Sequence, residues 1–333
     1  MAAQGKNLKA KKEQEQDKKE QKQLNFYGHG TFTPRYGWLY KVVKEYSKGN
    51  EPFTKIENAM VAFGVGKNMV PAMKHWAKSF DIYYEESNSP KEGKLTPFGK
   101  QIFGEEGWDK YLENRGTLWL LHWKLVSSEK NYFWWWTFNI FNDLTFDKRS
   151  MYKAIKNHLE EKDYEISEKK KEPGSKKDPG IIPADSIKRD IDCLINTYRV
   201  KDLEKNEITE NTLQSPLAEL GLIKETKNKG IFKFERFDKK NIPSQIFFYT
   251  IADYWRKFFN NENTLQLKQI VYDVNSPGKI FKLDESTIVS YLSEIEKSTR
   301  NKYSWFDTLG SRQLQRNSEK IDTEIFLKKY FNQ

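Results

Sequence analysis

Two neighbouring stretches in the middle of the chain, GTLWLLHWKLV (Gly116 to Val126) and NYFWWWTFNIFND (Asn131 to Asp143), narrow what it can fold into. A helix that is apolar on every side has no face to offer water, so both must be buried helices or an interdomain surface. The run Trp134 to Trp136 covers all sides of a helix, so at least one indole must meet another segment. Stacking on nucleic-acid bases is the functional alternative for such a run. Core packing is preferred because the spacing is helical. His122, between Leu121 and Trp123, reads in the same way as a satisfied core histidine rather than a ligand.

The chain can supply such a core. Its 333 residues are 37% apolar and 15% aromatic, enough for two or three domains. A formal charge of +10 favours polyanionic partners, with nucleic acid first among them. The 57 basic residues are nevertheless interspersed with 47 acidic ones, so position along the chain matters more than the total. A single cysteine, Cys193, excludes an intrachain disulfide, a cysteine-based zinc site and any CxxC redox motif, and fits a cytoplasmic setting. No run approaches the roughly 18 apolar residues of a membrane span, and the N-terminus lacks an apolar leader, so neither a membrane partner nor secretion is expected.

Taken in order, residues 1 to 23 form a Lys-, Gln- and Glu-rich tail too polar to offset the cost of ordering. Asn25 to Leu39 packs aromatics among three glycines and reads as an extended or looped segment, continued by a first amphipathic helix from Tyr36 to Tyr46. Lys55 to Ala62 is a short amphipathic helix, and Phe63 to Phe80 (FGVGKNMVPAMKHWAKSF) is a glycine turn followed by a helix whose apolar stripe is Met69, Met73, Trp76, Ala77 and Phe80. Two short strands around SNSPKEGK make a wing. Thr96 before Pro97 is the expected N-cap of a helix that Gly104 ends. Residues 35 to 104 therefore read as a winged helix-turn-helix. Glu160 to Pro179 is a charge-dense linker or surface loop, dividing an N-terminal domain of residues 24 to 159 from a C-terminal domain of residues 181 to 333. There the pattern predicts a helix from Ser186 to Tyr198, a hairpin from Leu222 to Arg236 and an aromatic helix from Pro243 to Asn260. It then predicts a second winged-helix-like unit: a helix from Leu265 to Tyr272, the loop NSPGKIFKLD, a helix from Glu285 to Lys297 and strands around Trp305 and Leu314. The fold class is mainly α with small β-hairpins, an α+β arrangement with an aromatic helical middle.

GVGK at Gly64 to Lys67 lacks the GxxxxGK[ST] spacing of a phosphate-binding loop, so no nucleotide cofactor is expected there. A recognition helix accounts for the same letters. Lys67 would meet a phosphate at the helix N-terminus, Asn68 would reach an adenine edge, and Lys74, His75 and Lys78 lie mostly off the apolar stripe. The competing reading is the solvated face of a core helix.

The phrases NFYGHGTFTPRYGWLYK, FGVGKNMVPAMKHW, LTPFGKQIFGEEGWDKYLENRGTLWLLHWKL, RDIDCLINTY, SPLAELGLI and SPGKIFKLDE, in that order, resemble the domain-of-unknown-function family four thousand and seven, over residues 24 to 316. The family is met beside DNA phosphorothioation genes and includes a component described as nicking DNA. The resemblance implies work on double-stranded DNA in a bacterial sulfur-modification defence system, with sulfur-transfer and ATPase proteins as partners. The activity implied is nicking of one strand so that sulfur can be inserted; the alternative is a non-catalytic DNA-binding adaptor that positions the sulfur-transfer proteins. A third reading is a scaffold whose Trp-rich middle docks a partner. A nicking enzyme of this kind would use Mg2+ or Mn2+ held by carboxylates. The candidates are Asp190 with Asp192, which as i and i+2 share no helix face and compete with an ordinary surface ion pair. His29 as general base with Arg35 on the phosphate is the other pair, competing with a buried histidine in an aromatic turn. The family's opening phrase reads Gly-His-Glu where this chain has Gly28, His29 and Gly30. A metal-binding Glu could not be replaced by glycine, whereas a turn-capping one could.

Overall fold

The computed structural model describes residues 23–86, 89–169, 178–199, 215–235, 242–308, 310–317 and 322–332. The polar tail up to residue 22 and residues 170–177 of the charge-dense stretch lie outside the described residues. The first helix, α1 (Trp38–Ser47), buries Trp38, Leu39, Val42 and Val43, the stripe its spacing requires. A short 3-10 turn leads to α2 (Ile56–Phe63), which Gly64 ends at φ 62° with its N–H on the Met60 carbonyl. Next comes α3 (Met69–Ser79), burying Val70, Ala72, Met73, Trp76, Ala77 and Ser79. An antiparallel hairpin follows, β1 (Tyr83–Glu86) with β2 (Ser89–Leu95), and then α4 (Pro97–Phe103). Helix α1 packs on α2, α3, α4 and β2, so these elements form one unit in the predicted order.

Thr96 closes that unit. Its Oγ1 accepts from the Gly99 N–H at 2.9 Å and donates to the Asp81 carbonyl at 2.5 Å, tying the start of α4 to the turn after α3. Thr96→Ala removes the cap and leaves a buried N–H unpaired. It is expected to cost about 1–2 kcal/mol of unfolding free energy in urea titrations; no change would show that the tie carries no stability.

The two apolar stretches become α5 (Arg115–Val126) and α6 (Tyr132–Asn139), in which nearly every side chain is buried. The three consecutive tryptophans go to different neighbours. Trp134 meets His29 and Trp76, Trp135 donates to Asn275 Oδ1 at 2.8 Å, and Trp136 packs on Phe133, Phe141 and His158. With all three no more than 5% exposed, they are core residues and offer no stacking platform. On α5, His122 bonds Tyr198 and the Ile280 carbonyl while Trp123 donates to Asp253, so this helix is tied to three elements of the C-terminal half.

The chain continues through β3 (Thr145–Phe146), α7 (Lys148–Glu160), β4 (Glu165–Ser167), β5 (Ile181–Pro183) and α8 (Ala184–Tyr198). Asp147 caps α7 reciprocally with Ser150. Strands β4 and β5 pair in parallel across the charge-dense stretch. The hairpin of β6 (Ile223–Glu225) and β7 (Phe232–Phe234) takes β3 as its third strand, so pairing joins residues on both sides of that stretch.

The C-terminal part comprises α9 (Ser244–Phe258), β8 (Thr264–Gln266), α10 (Leu267–Tyr272), α11 (Pro277–Phe281), α12 (Glu285–Ser298), β9 (Tyr303–Thr308), β10 (Ser311–Arg316) and α13 (Glu324–Phe331). Strand β10 is central, antiparallel to both β8 and β9. Two details depart from the sequence expectation. Residues 264–266 form a strand ahead of a shorter helix. The segment NSPGKIFKLD is not a loop throughout, because Ser276 Oγ accepts from the Lys279 N–H and Pro277 occupies the first helical position, which start α11. The chain is thus mainly helical with small sheets. Among the described residues no helix is long and apolar enough to cross a membrane.

Candidate nucleic-acid interface

The aromatic loop before α1 is built around a buried pair. His29 and Asp190, 161 residues apart, are 0% and 1% exposed, with Nε2 2.6 Å from Asp190 Oδ1. The Thr31 N–H donates to His29 Nδ1 at 3.1 Å, so Nδ1 is the acceptor nitrogen and Nε2–H donates to the carboxylate. The Tyr27 N–H donates to the same carboxylate oxygen at 3.0 Å. Burial lifts the Asp190 carboxyl above its usual range, although His29 and the Tyr27 N–H pull against it. Gly30 sits at φ 55° in the turn closed by the Phe32 N–H on the His29 carbonyl, a left-handed position that glycine fills without penalty. Gly30 is thus a turn position in this chain.

The other residues singled out from sequence lie apart from this pair. Asp192 is 52% exposed and ion-paired with Lys148 at 2.6 Å, on a different side of α8 from Asp190. Arg35 stands over the rings of Phe32 and Trp38. Arg189, next to Asp190, donates to the Tyr27 hydroxyl at 2.6 Å and covers its ring. Among the described residues no group of three or more His, Cys, Asp and Glu side chains is disposed to hold a metal ion. Asp190 and Asp192, separated in this way, do not fit an Mg2+ site, which needs several oxygens around one point.

On α3 the apolar stripe faces the core, and the remaining side opens into a groove of about 720 Å³. Lys67 and Asn68, just ahead of the helix, are exposed. Lys74 and Lys78 both reach Glu85 on β1, so one carboxylate is shared by two ammonium groups. Burial works against the charge of Glu85, but the two lysines outweigh it and hold the carboxyl below its usual range. His75 is pushed down to about 3, by burial first and then by His29 and Lys78, so it is neutral at physiological pH. Its ring stands edge-on to His29, 5.9 Å between centroids. A Cβ on Gly28 would lie 2.2 Å from His75 Nδ1, so glycine is what lets the aromatic loop close against α3. The far wall of the groove is Asp178, Pro179 and residues 181–183.

What these elements define is a mainly helical protein with a helix–hairpin unit whose basic helix face opens into a groove of mixed polar and apolar lining. By sequence the chain belongs to the family described as protein of unknown function DUF4007, which matches residues 26–331. Two crystal structures of SspB are similar to it, one of them magnesium ion-bound. Each is 26% identical over 92% of this chain and 88% of the other, with TM-scores of 0.77 for the magnesium-bound form and 0.78 for the other. No curated protein matches the sequence.

Proposed function

We propose that this protein is a DNA-binding component of a bacterial DNA phosphorothioation system, acting in the cytoplasm, where its DNA is, beside sulfur-transfer and ATPase partners. The similarity to SspB and the DUF4007 membership support the system. DNA binding rests on one observation: the basic side of α3 is the side left out of the core, while its apolar stripe is fully used. The order α1, α2, α3, hairpin supports a winged helix for residues 35 to 104, and the order α9, β8, α10, α12, β9, β10, with β10 between β8 and β9, supports a second one.

Lys67→Gln with Lys74→Gln is expected to weaken DNA binding and to lower the slope of log affinity against log salt by about two units, since each lost phosphate contact removes about 0.9 on duplex DNA. Unchanged affinity and slope would remove α3 from the interface.

Strand nicking is the activity implied by the resemblance. The adaptor reading is favoured by a specific observation: His29 has both ring nitrogens engaged, and Asp190 and Asp192 do not converge. Incubating supercoiled plasmid with the protein and Mg2+ or Mn2+ separates the two. Open-circular product establishes nicking, and its absence at every salt and metal concentration leaves the adaptor.

A further inference from the structure

Two grooves adjoin beside α3. The first, described above, shares Gln23 to Asn25, Lys78, Ser79, Lys130 and Asn131 with a second of about 750 Å³, which runs on to Lys124, Arg256, Lys257 and Phe258. A helix that reads duplex DNA must stand proud of its surface to enter the major groove. The second half of α3 does not stand proud: Lys74, His75 and Lys78 line a trough walled by Leu24 to Gly28 and by residues 178–183.

The charges in this trough are arranged for phosphates. Lys74 and Lys78 share Glu85, while Arg256 and Lys257 share the buried Asp253, so each set of three carries a net positive charge with its cations partly exposed. Lys130, which lines both grooves and is exposed, has no ion pair among the described residues. Lys124 is tied to Asp81 at 2.8 Å and is neutralised. Glu129 and Asp178 also line the trough, so it is not a uniformly positive surface. Rings are present at both ends, Phe26 at one and Phe258, 47% exposed, at the other. Spaced cations tracking a backbone, with aromatic side chains among them, are how proteins hold a single strand without reading its sequence.

We infer that the trough holds one unpaired strand of DNA, its phosphates passing from Lys74 and Lys78 over Lys130 to Arg256 and Lys257. This rests on the DNA-binding reading and adds the form of the substrate and three residues from outside the N-terminal unit; it moves Lys74 from the duplex to the strand, so Lys67→Gln with Lys74→Gln would lower the duplex slope by about one unit instead of two. It also gives a reason why the basic face of α3 is recessed: a duplex opened locally would leave one strand here, while Lys67 and Asn68 at the exposed start of α3 stay with the paired DNA.

The test is fluorescence anisotropy on the full chain with a labelled oligothymidylate of about 20 nucleotides, longer than a typical single-strand site, and with a blunt duplex of equal length. The wild type is expected to bind the single strand more tightly. Lys130→Gln should weaken that binding about threefold or more and lower its salt slope by about 0.7, the value for one phosphate on a single strand. Arg256→Gln with Lys257→Gln should lower the slope by about twice that. Because this double variant strips the cations from buried Asp253, its melting is checked first, and if it does not fold Lys130→Gln alone decides. Preference for the duplex, or single-strand binding indifferent to Lys130→Gln, overturns the inference. If Lys67→Gln with Lys74→Gln still impairs duplex binding in that case, the DNA-binding reading survives. Binding to neither DNA would end both.

Discussion

His29→Ala is expected to lower unfolding free energy at pH 7 by about 1.5–3 kcal/mol, the range for a hydrogen bond to a charged group. The carboxylate of Asp190 would be left 1% exposed, with the Tyr27 N–H as its remaining bond at that oxygen. Burial already lifts the carboxyl, and losing the histidine lifts it further. A group whose folded-state pKa lies above its unfolded value adds stability that is fully present below the unfolded pKa and disappears as pH rises through the folded one. The deficit of His29→Ala should therefore shrink as pH is lowered from 7 and the buried acid takes up its proton. Asp190→Asn keeps an acceptor for both N–H groups and removes the charge, so it should cost less than His29→Ala at pH 7. Urea titrations of the three proteins at several pH values check this. Equal, pH-independent losses would show that the pair acts by packing alone. Since Tyr27 and Gly28 form part of the trough wall against His75, a loosened loop should also weaken DNA binding.

Local signals carried much of this fold. Thr96 before Pro97, the tryptophan run and the 222 to 236 hairpin were legible because each depends on residues a few positions apart. The comparable Ser-Pro pair at Ser276 and Pro277 is not decisive in the sequence because so short a helix leaves no periodicity, and a three-residue strand such as β8 leaves no alternation. The pairing of His29 with Asp190 was not legible, since nothing along the chain links positions 161 residues apart. Sequence proximity instead suggested Asp190 with Asp192 and His29 with Arg35. One signal did exist. Asp190 falls on the stripe of Ile187, Ile191 and Leu194, and a carboxylate on the buried face of a helix must find a partner. The basic face of α3 was readable from its letters, but the recess around it is made by residues 23–28 and 178–183, which no helical pattern places there.

The second large effect concerns acid. His122 is 0% exposed, accepts the Tyr198 hydroxyl at Nδ1 (2.7 Å) and donates from Nε2 to the Ile280 carbonyl (3.1 Å). Burial pushes it down from 6.5 to about 3, with Lys282 adding to the effect against the Ile280 bond. In the unfolded chain it would take up a proton near pH 6.5, which the native state refuses until about pH 3. The unfolded state therefore binds more protons in that window, and stability falls as pH falls through it. At pH 5 the loss from this one side chain is about 2 kcal/mol, from a shift of about 1.5 pH units below the unfolded value at 1.36 kcal/mol per unit. His122→Phe should be less stable than the wild type at pH 7, because Tyr198 and the Ile280 carbonyl lose their partner. Between pH 7 and 5, however, it should lose about 2 kcal/mol less than the wild type does. Parallel pH profiles for the two proteins would move the acid sensitivity elsewhere, first to His75, which burial also holds down near 3 but at the edge of the trough. In that event protonation would act where the strand is proposed to lie, and the acid transition should shift when oligothymidylate is bound, which a group sealed inside α5 would not do.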